Sequence, residues 1–291
     1  MSVGVIATAH DFRRACQEAR CDGELALVPT MGYLHAGHQS LIKAAAQRAP
    51  TVAVTIFVNP AQFGPGDDLS RYPRDIEGDL RKSEEAGATF VFAPRGPDEL
   101  YPAGFQTYVE PGPLAAPLCG EKRPGHFRGV CTVVAKLFAL SRADCAFFGE
   151  KDFQQLLVIR RMAADLNLGV EVIGRPIVRE SDGVALSSRN AYLSPEERMR
   201  ATALWKALKA ARDAFTAGEV LPARLEEIAL QKLADDGLRV DYAEVRDPIE
   251  LQRLAKADPT SRLFLAAFLG KTRLIDNGAL GAAAEGGVAP T

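Results

Sequence analysis

Basic residues are not in excess in this chain: 35 lysines and arginines face 37 aspartates and glutamates over 291 residues. A net charge of −2 without any basic tract leaves no electrostatic footprint for nucleic acid. Long apolar runs are missing as well, so no membrane span is expected. The first twenty residues carry His10, Asp11 and several arginines with no apolar core, so they do not read as a signal peptide. Cysteine is sparse. Cys16, Cys21, Cys119, Cys131 and Cys145 are odd in number and lack Cys-x-x-Cys spacing, which points to reduced thiols in a cytoplasmic protein. Two familiar catalytic signatures are also absent. No His-Glu-x-x-His occurs, and Gly270-Lys271-Thr272 has Leu265 where an ATP-binding P-loop needs its first glycine.

What is present is an ordinary globular composition, 47% hydrophobic, long enough for one large or two modest domains. Helix and strand patterns alternate through the first 175 residues or so. Residues 25–28, 51–58, 89–92, 145–148 and 170–173 read as strands. Between them lie helical patterns, among them 75–86, 129–140 and 153–166. Repeated βα units predict a Rossmann-like, doubly wound parallel sheet with ligands at the C-terminal strand ends. After Pro176 the pattern changes to two helices, 195–218 and 222–236, followed by strands at 240–245 and 263–268. The expected organisation is an α/β domain over residues 1–176 and a smaller α+β, lid-like domain over 177–278. An Ala/Gly-rich tail over 279–291 is expected to be disordered.

The most informative stretch is Pro29-Thr30-Met31-Gly32-Tyr33-Leu34-His35-Ala36-Gly37-His38, between an apolar strand and a helix. Histidines three apart share a helix face. At the first turn, unpaired N–H groups and the dipole favour phosphate. Spacing and the lack of an intervening glutamate exclude a zinc protease; two solvated histidines at a helix start are the plain alternative. Other polar clusters also follow strands: Asn59 with Gln62, then Gly149-Glu150-Lys151-Asp152 with Gln155. Lys151 offers a point charge for phosphate. Asp152 suits a ribose hydroxyl or could orient the lysine, and the neutral amides suit the hydroxyls and carboxylate of a small polar acid. Ser187-Ser188-Arg189-Asn190 reads as a second anion site ahead of a helix, or as simple helix capping.

Together these residues resemble a known family. His35-x-Gly-His38 and Leu186-Ser187-Ser188-Arg189 resemble the two ATP signatures of the HIGH nucleotidyltransferase superfamily. More narrowly, Pro29–Gly32, Ile56–Gly64, Tyr72-Pro73-Arg74, Phe148–Gln155 and Ser187–Asn190 resemble the pantothenate synthetase (pantoate–β-alanine ligase) family. The resemblance implies that ATP, pantoate and β-alanine give pantothenate, AMP and pyrophosphate through a pantoyl adenylate. By position it implies Met31, His35, His38, Gly149, Lys151, Asp152, Val178, Leu186, Ser187, Ser188 and Arg189 for ATP. Among these, His38 is the proton donor, and Lys151, Ser187 and Arg189 meet phosphate oxygens. It implies Gln62 and Gln155 for pantoate, Gln62 also near the incoming amine, with Asn59 and Arg123 in the same pocket. It implies a homodimer and Mg²⁺. Where some members carry adjacent acidic residues after Tyr-Pro-Arg, this chain reads Glu77-Gly78-Asp79, leaving Asp79 as the expected metal contact.

Overall fold

The computed structural model describes residues 3–281, which divide into two compact units. The first holds the residues up to Glu150 together with Gln154–Arg175. The second begins at Pro176 and also takes in Lys151–Phe153. The division after Arg175 lies one residue before the expected boundary. The inclusion of Lys151–Phe153 in the second unit is not foreshadowed by the sequence pattern.

The first unit is built on strands β1 (Gly4–Ile6), β2 (Leu25–Thr30), β3 (Thr51–Ile56), β4 (Phe90–Phe92), β5 (Cys145–Gly149) and β6 (Glu171–Arg175). Their order across the sheet is β1-β4-β3-β2-β5-β6, and every pairing is parallel. Helices α1 (Ala9–Ala19), α2 (Ala36–Arg48), α3 (Ile76–Ala86), α4 (Cys119–Lys122), α5 (His126–Ser141) and α6 (Phe153–Asp165) connect the strands. Leu25 to Val28 of β2 are wholly buried, as a central strand covered on both faces requires. Chain order runs outward from β2 through β3 to β4 on one side, and through β5 to β6 on the other. The reversal between β2 and β5 is a topological switch point, where open α/β sheets leave a crevice beyond the strand ends. The Rossmann-like expectation for the fold is met.

The second unit contains α7 (Pro195–Arg200), α8 (Thr202–Thr216) and α9 (Pro222–Asp235) with an antiparallel sheet. Its strands are β7 (Arg239–Arg246), β8 (Arg262–Leu269) and β9 (Thr272–Ala279), in that order. Leu204, Ala207, Leu208 and Ala211 form the buried stripe of α8, spaced three and four apart. They share a core with Leu263, Leu265 and Ala267, the alternate residues of β8.

Three expectations are corrected here. The helix expected over 195–218 is two helices meeting at Ala201, with α7 capped by Ser194 and Glu197. A third strand, β9, was not foreseen; Gly270, at φ +55°, makes the hairpin turn from β8, so the Gly-Lys-Thr sequence belongs to that turn. The disordered tail expected from 279 does not start there, since Ala279 closes β9 and Leu280 is buried. Residues 282–291 of that tail lie outside the described residues.

Candidate active site

In the first unit the histidine turn grows directly out of β2. Gly32 (φ +84°) and Tyr33 (φ +52°) both adopt left-handed backbone, which turns the chain sharply into α2. A Cβ on Gly32 would lie 2.9 Å from Asp79 Oδ2, so glycine is required for space as well as for conformation. Asp79, on α3, holds this turn: Tyr33 N donates to Oδ2 at 2.8 Å and Leu34 N to Oδ1 at 2.6 Å. Lys82, one turn along, donates to the Leu34 carbonyl at 2.7 Å. Burial pushes the Asp79 carboxyl above the ordinary carboxylate range, opposed by the two amides and by Lys82.

The expected metal role of Asp79 therefore does not fit. The residue is 1% exposed and both of its oxygens already accept backbone amides. No group of three His, Cys, Asp or Glu side chains that could hold a metal occurs among the described residues. Glu77 is exposed on the outer side of α3. Asp79 is a positioning residue for the turn. Sequence placed a carboxylate beside the site, but nothing in it revealed that backbone amides would occupy that carboxylate.

His35 caps α2, its Nδ1 accepting from Gly37 N at 3.2 Å, while His38 Nδ1 accepts from His35 N at 3.3 Å. Accepting at Nδ1, each neutral ring carries its proton on Nε2. The two ring centroids are 4.1 Å apart. A pair of imidazoles is thus locked as Nε2–H donors at the start of a thirteen-residue helix.

The amide cluster follows β3, the next strand in the sheet. Asn59 caps the short turn Pro60–Gln62, its Oδ1 accepting from Ala61 N. Asn59 Nδ2 donates to Gln62 Oε1 at 2.9 Å and to the Gly129 carbonyl at 3.1 Å. Gln62 Nε2 lies 3.3 Å from Met31 Sδ, which joins the residues after β2 to those after β3. Gly129 lets α5 approach: a Cβ there would stand 2.1 Å from the Ala61 carbonyl oxygen. Arg123 bonds Asp67 at 3.0 Å and the Gln62 carbonyl at 3.3 Å. His126, which sequence reading left without a role, accepts from Arg123 at Nε2 and donates from Nδ1 to that same carbonyl at 2.9 Å. Arg123 therefore sits on the backbone side of Gln62, paired with Asp67.

Gly149 ends β5 with open space where a Cβ would stand, and Gln155 lies half-buried in the first turn of α6. Its neighbour Gln154 is structural, donating to the Leu114 and Pro117 carbonyls and accepting from Cys119 N.

The remaining expected residues belong to the second unit. Lys151 carries an ion pair to Asp152 at 3.7 Å, and its carbonyl accepts from Asn277 Nδ2 of β9 at 2.9 Å. Arg262 stacks over the Phe153 ring at 3.8 Å. Val178 and Leu186 are joined by Leu186 N donating to the Val178 carbonyl at 3.0 Å, which folds 178–186 into a hairpin. The structure thus brings Val178 beside the Leu186–Arg189 segment. Ser187 accepts from Arg189 N at 3.3 Å and caps a five-residue 3-10 turn, Ser188–Tyr192. The expected helix follows only beyond this turn, as α7 from Pro195, so Ser187 caps the turn and not the helix itself. Behind the hairpin, Arg179 pairs with Asp276 through two bonds of 2.7 and 2.9 Å and lies 4.2 Å over Trp205.

This geometry can now be set beside known proteins. A profile of the family described as pantoate–beta-alanine ligase matches residues 4–279. The pantothenate synthetase of Geobacter sulfurreducens is 53% identical over 279 residues, covering 95% of this chain and 98% of its own. That of Myxococcus xanthus is 54% identical over 284 residues, 97% of each chain. A crystal structure of pantothenate synthetase from Thermus thermophilus superposes with a TM-score of 0.91 at 45% identity, covering 96% of this chain and all of that one. A pantoate-beta-alanine ligase from Francisella tularensis, described as complexed with beta-gamma ATP and beta-alanine, gives a TM-score of 0.81 at 31% identity, covering 96% and 98%. By sequence over nearly its whole length, and by fold, the chain belongs to the pantoate–β-alanine ligase family.

Proposed function

We propose that this chain is an AMP-forming ligase that joins pantoate to β-alanine, with ATP as the energy source and pantoyl adenylate as the intermediate. Membership of the family and near-complete coverage of its curated relatives support the reaction. The observation that carries the site reading is the edge shared by β2 and β3, where two Nε2–H imidazoles and a buried amide pair follow neighbouring strands. Imidazole donors suit the charge that develops on phosphate, and neutral amides suit a small hydroxy acid.

In the first step a pantoate carboxylate oxygen attacks the α-phosphorus of ATP. The bond from that phosphorus to the bridging oxygen breaks, and pyrophosphate leaves. In the second, the β-alanine nitrogen attacks the acyl carbon, AMP departs with the carboxylate oxygen, and the nitrogen loses a proton. His38, supported by His35, donates to the phosphate oxygens, as does the Ser187 hydroxyl, while Lys151 and Arg189 balance their charge. Met31, Gly149, Asp152, Val178, Leu186 and Ser188 complete the nucleotide contacts. Gln62 and Gln155 hold pantoate, with Asn59 and Arg123 fixing Gln62 by its side chain and its backbone. Most of the acceleration is then positioning and electrostatic stabilisation. Mg²⁺ is expected as the companion of the ATP phosphates, for which few protein ligands are needed. A homodimer and a cytoplasmic location belong to the same proposal. Among the described residues no helix is long and apolar enough to cross a membrane.

Pyrophosphate release from ATP and Mg²⁺ with pantoate, with and without β-alanine, tests the reading. A single burst without β-alanine, and sustained turnover with AMP formation when it is added, is the expected result. Release that ignores pantoate would instead indicate a simple adenylyltransferase.

A further inference from the structure

Gln62 is a group whose chemistry depends on which way its amide faces: one end accepts hydrogen bonds and the other donates. Its side chain does not settle that choice alone. Two backbone groups of fixed polarity settle it through Asn59. The Gly129 carbonyl can only accept, so the Asn59 atom 3.1 Å from it is the nitrogen. The Ala61 N–H can only donate, so the Asn59 atom facing it is the oxygen. With Asn59 oriented, the nitrogen it turns to Gln62 must meet an oxygen, at 2.9 Å. The amide nitrogen of Gln62 is thereby turned away from Asn59, to where it lies 3.3 Å from Met31 Sδ. Thioether sulfur is a weak acceptor, readily exchanged for a substrate oxygen.

The remaining contact of Asn59 is the Tyr101 hydroxyl, 2.8 Å from Oδ1. Since Oδ1 accepts, Tyr101 donates. Tyr101 reaches in from the loop after β4 and is held by rings on either side, Phe57 at 6.2 Å and Phe105 at 5.1 Å between centroids. Asn59 itself is 1% exposed, so its end of this bond is shielded from water. Burial raises the Tyr101 pKa above the ordinary phenol range, which keeps the proton on the donor at every working pH.

We infer that Tyr101 is a positioning residue for the acid substrate: acting through Asn59, together with the Ala61 N–H and the Gly129 carbonyl, it holds the Gln62 amide so that its N–H side meets an oxygen of the hydroxy acid. The inference rests on the ligase reading above and adds a residue and a polarity to it. It requires Gln62 to serve as a hydrogen-bond donor to pantoate. An analogue that offered only a donor at this position would be rejected.

Steady-state kinetics with each substrate varied in turn tests this in Tyr101→Phe, which keeps the aromatic contacts and removes the hydroxyl. The expected result is about a tenfold rise in the pantoate KM, equivalent to about 1.4 kcal/mol for one buried hydrogen bond. The ATP KM and kcat should stay within about twofold, as expected if a hold on pantoate common to the ground and transition states is lost. An unchanged pantoate KM would overturn the inference. So would a parallel loss across both substrates and kcat, which would mark Tyr101 as structural only. Asn59→Ala is the second arm, and should raise the pantoate KM at least as far. Adding Tyr101→Phe to Asn59→Ala should then change little, because the route runs through Asn59. Independent, additive effects would overturn it. A wild-type enzyme without pantoate-dependent pyrophosphate release would instead overturn the ligase reading itself.

Discussion

Two loops in this protein carry phosphate-facing candidates, and each is held by an aspartate distant in sequence, but the two are held by different chemistry. In the first unit Asp79 grips the turn before His35 through two backbone amides. In the second, Asp276 grips the 178–189 hairpin through the Arg179 guanidinium, which also bonds the Gly183 carbonyl at 3.0 Å. The first is a carboxylate bonded to backbone amides, with the charge of Lys82 nearby; the second is a buried ion pair stacked on an indole. A carboxylate bound to amides loses one or two bonds when it is removed. A buried pair loses its balance of charge, and the partner left behind has nowhere to go. The hairpin should therefore be the more brittle of the two.

The largest expected effect follows from that asymmetry. Asp276→Ala should destabilise the second unit by about 3–5 kcal/mol, because Arg179 remains buried and unpaired. Denaturant unfolding measures this, and a loss under about 1 kcal/mol would show that water reaches the arginine. Next in size are His38→Ala and Lys151→Ala, one from each unit. Each should lower kcat at least about a hundredfold, the scale of one lost transition-state donor, with the fold retained. Wild-type turnover in either variant would remove that residue from the chemistry. Asp79→Asn keeps one acceptor and turns an NH₂ toward the other amide, so stability should fall by about 1.5–3 kcal/mol. Its Mg²⁺ requirement should stay as in the wild type, and a shifted requirement would restore a metal role to Asp79.

The smallest effect is a pair of opposite pH slopes. Asp182, in the hairpin turn, is held below the ordinary carboxylate range chiefly by its hydrogen bonds with Arg198. Its stabilisation is present above the unfolded value of 3.8 and is lost as pH falls through the lowered folded value. Asp79 has a raised folded value, so the folded state keeps its proton longer. Its contribution to stability declines as pH rises from 3.8 through that raised value. Stability measured across the acid range should thus flatten in opposite senses in Asp182→Asn and Asp79→Asn. Slopes of the same sign would mean that one of the two environments is misassigned.

Much of this was legible in sequence because the signals were local. Alternating βα patterns gave the parallel sheet, and the Met31–His38 stretch announced a turn whose caps are its own neighbours. What escaped lies in long-range pairing. β9 was missed because Asp276, Asn277 and Gly278 break an apolar pattern, and they do so because Asp276 serves Arg179 and Asn277 serves the Lys151 carbonyl. The same bond, with Arg262 over Phe153, is why Lys151–Phe153 belongs with the second unit rather than with the strand that precedes it. β1 is three residues long, too short to leave a periodic trace. Tyr101 and His126 carried no motif at all. Their partners are 42 and 64 residues away, and only the approach of α5 at Gly129 and of the loop after β4 brings them together.

Trp205 is the only tryptophan in the chain, and it lies against Arg179 on the side of the hairpin where Gly183 leaves no room for a Cβ. The protein therefore comes with its own indole chromophore, sited in the second unit. Its fluorescence should respond when an anion settles on Ser187 and Arg189, which follow directly on the hairpin that Arg179 holds. Nucleotide binding could then be followed in the unlabelled enzyme by emission alone.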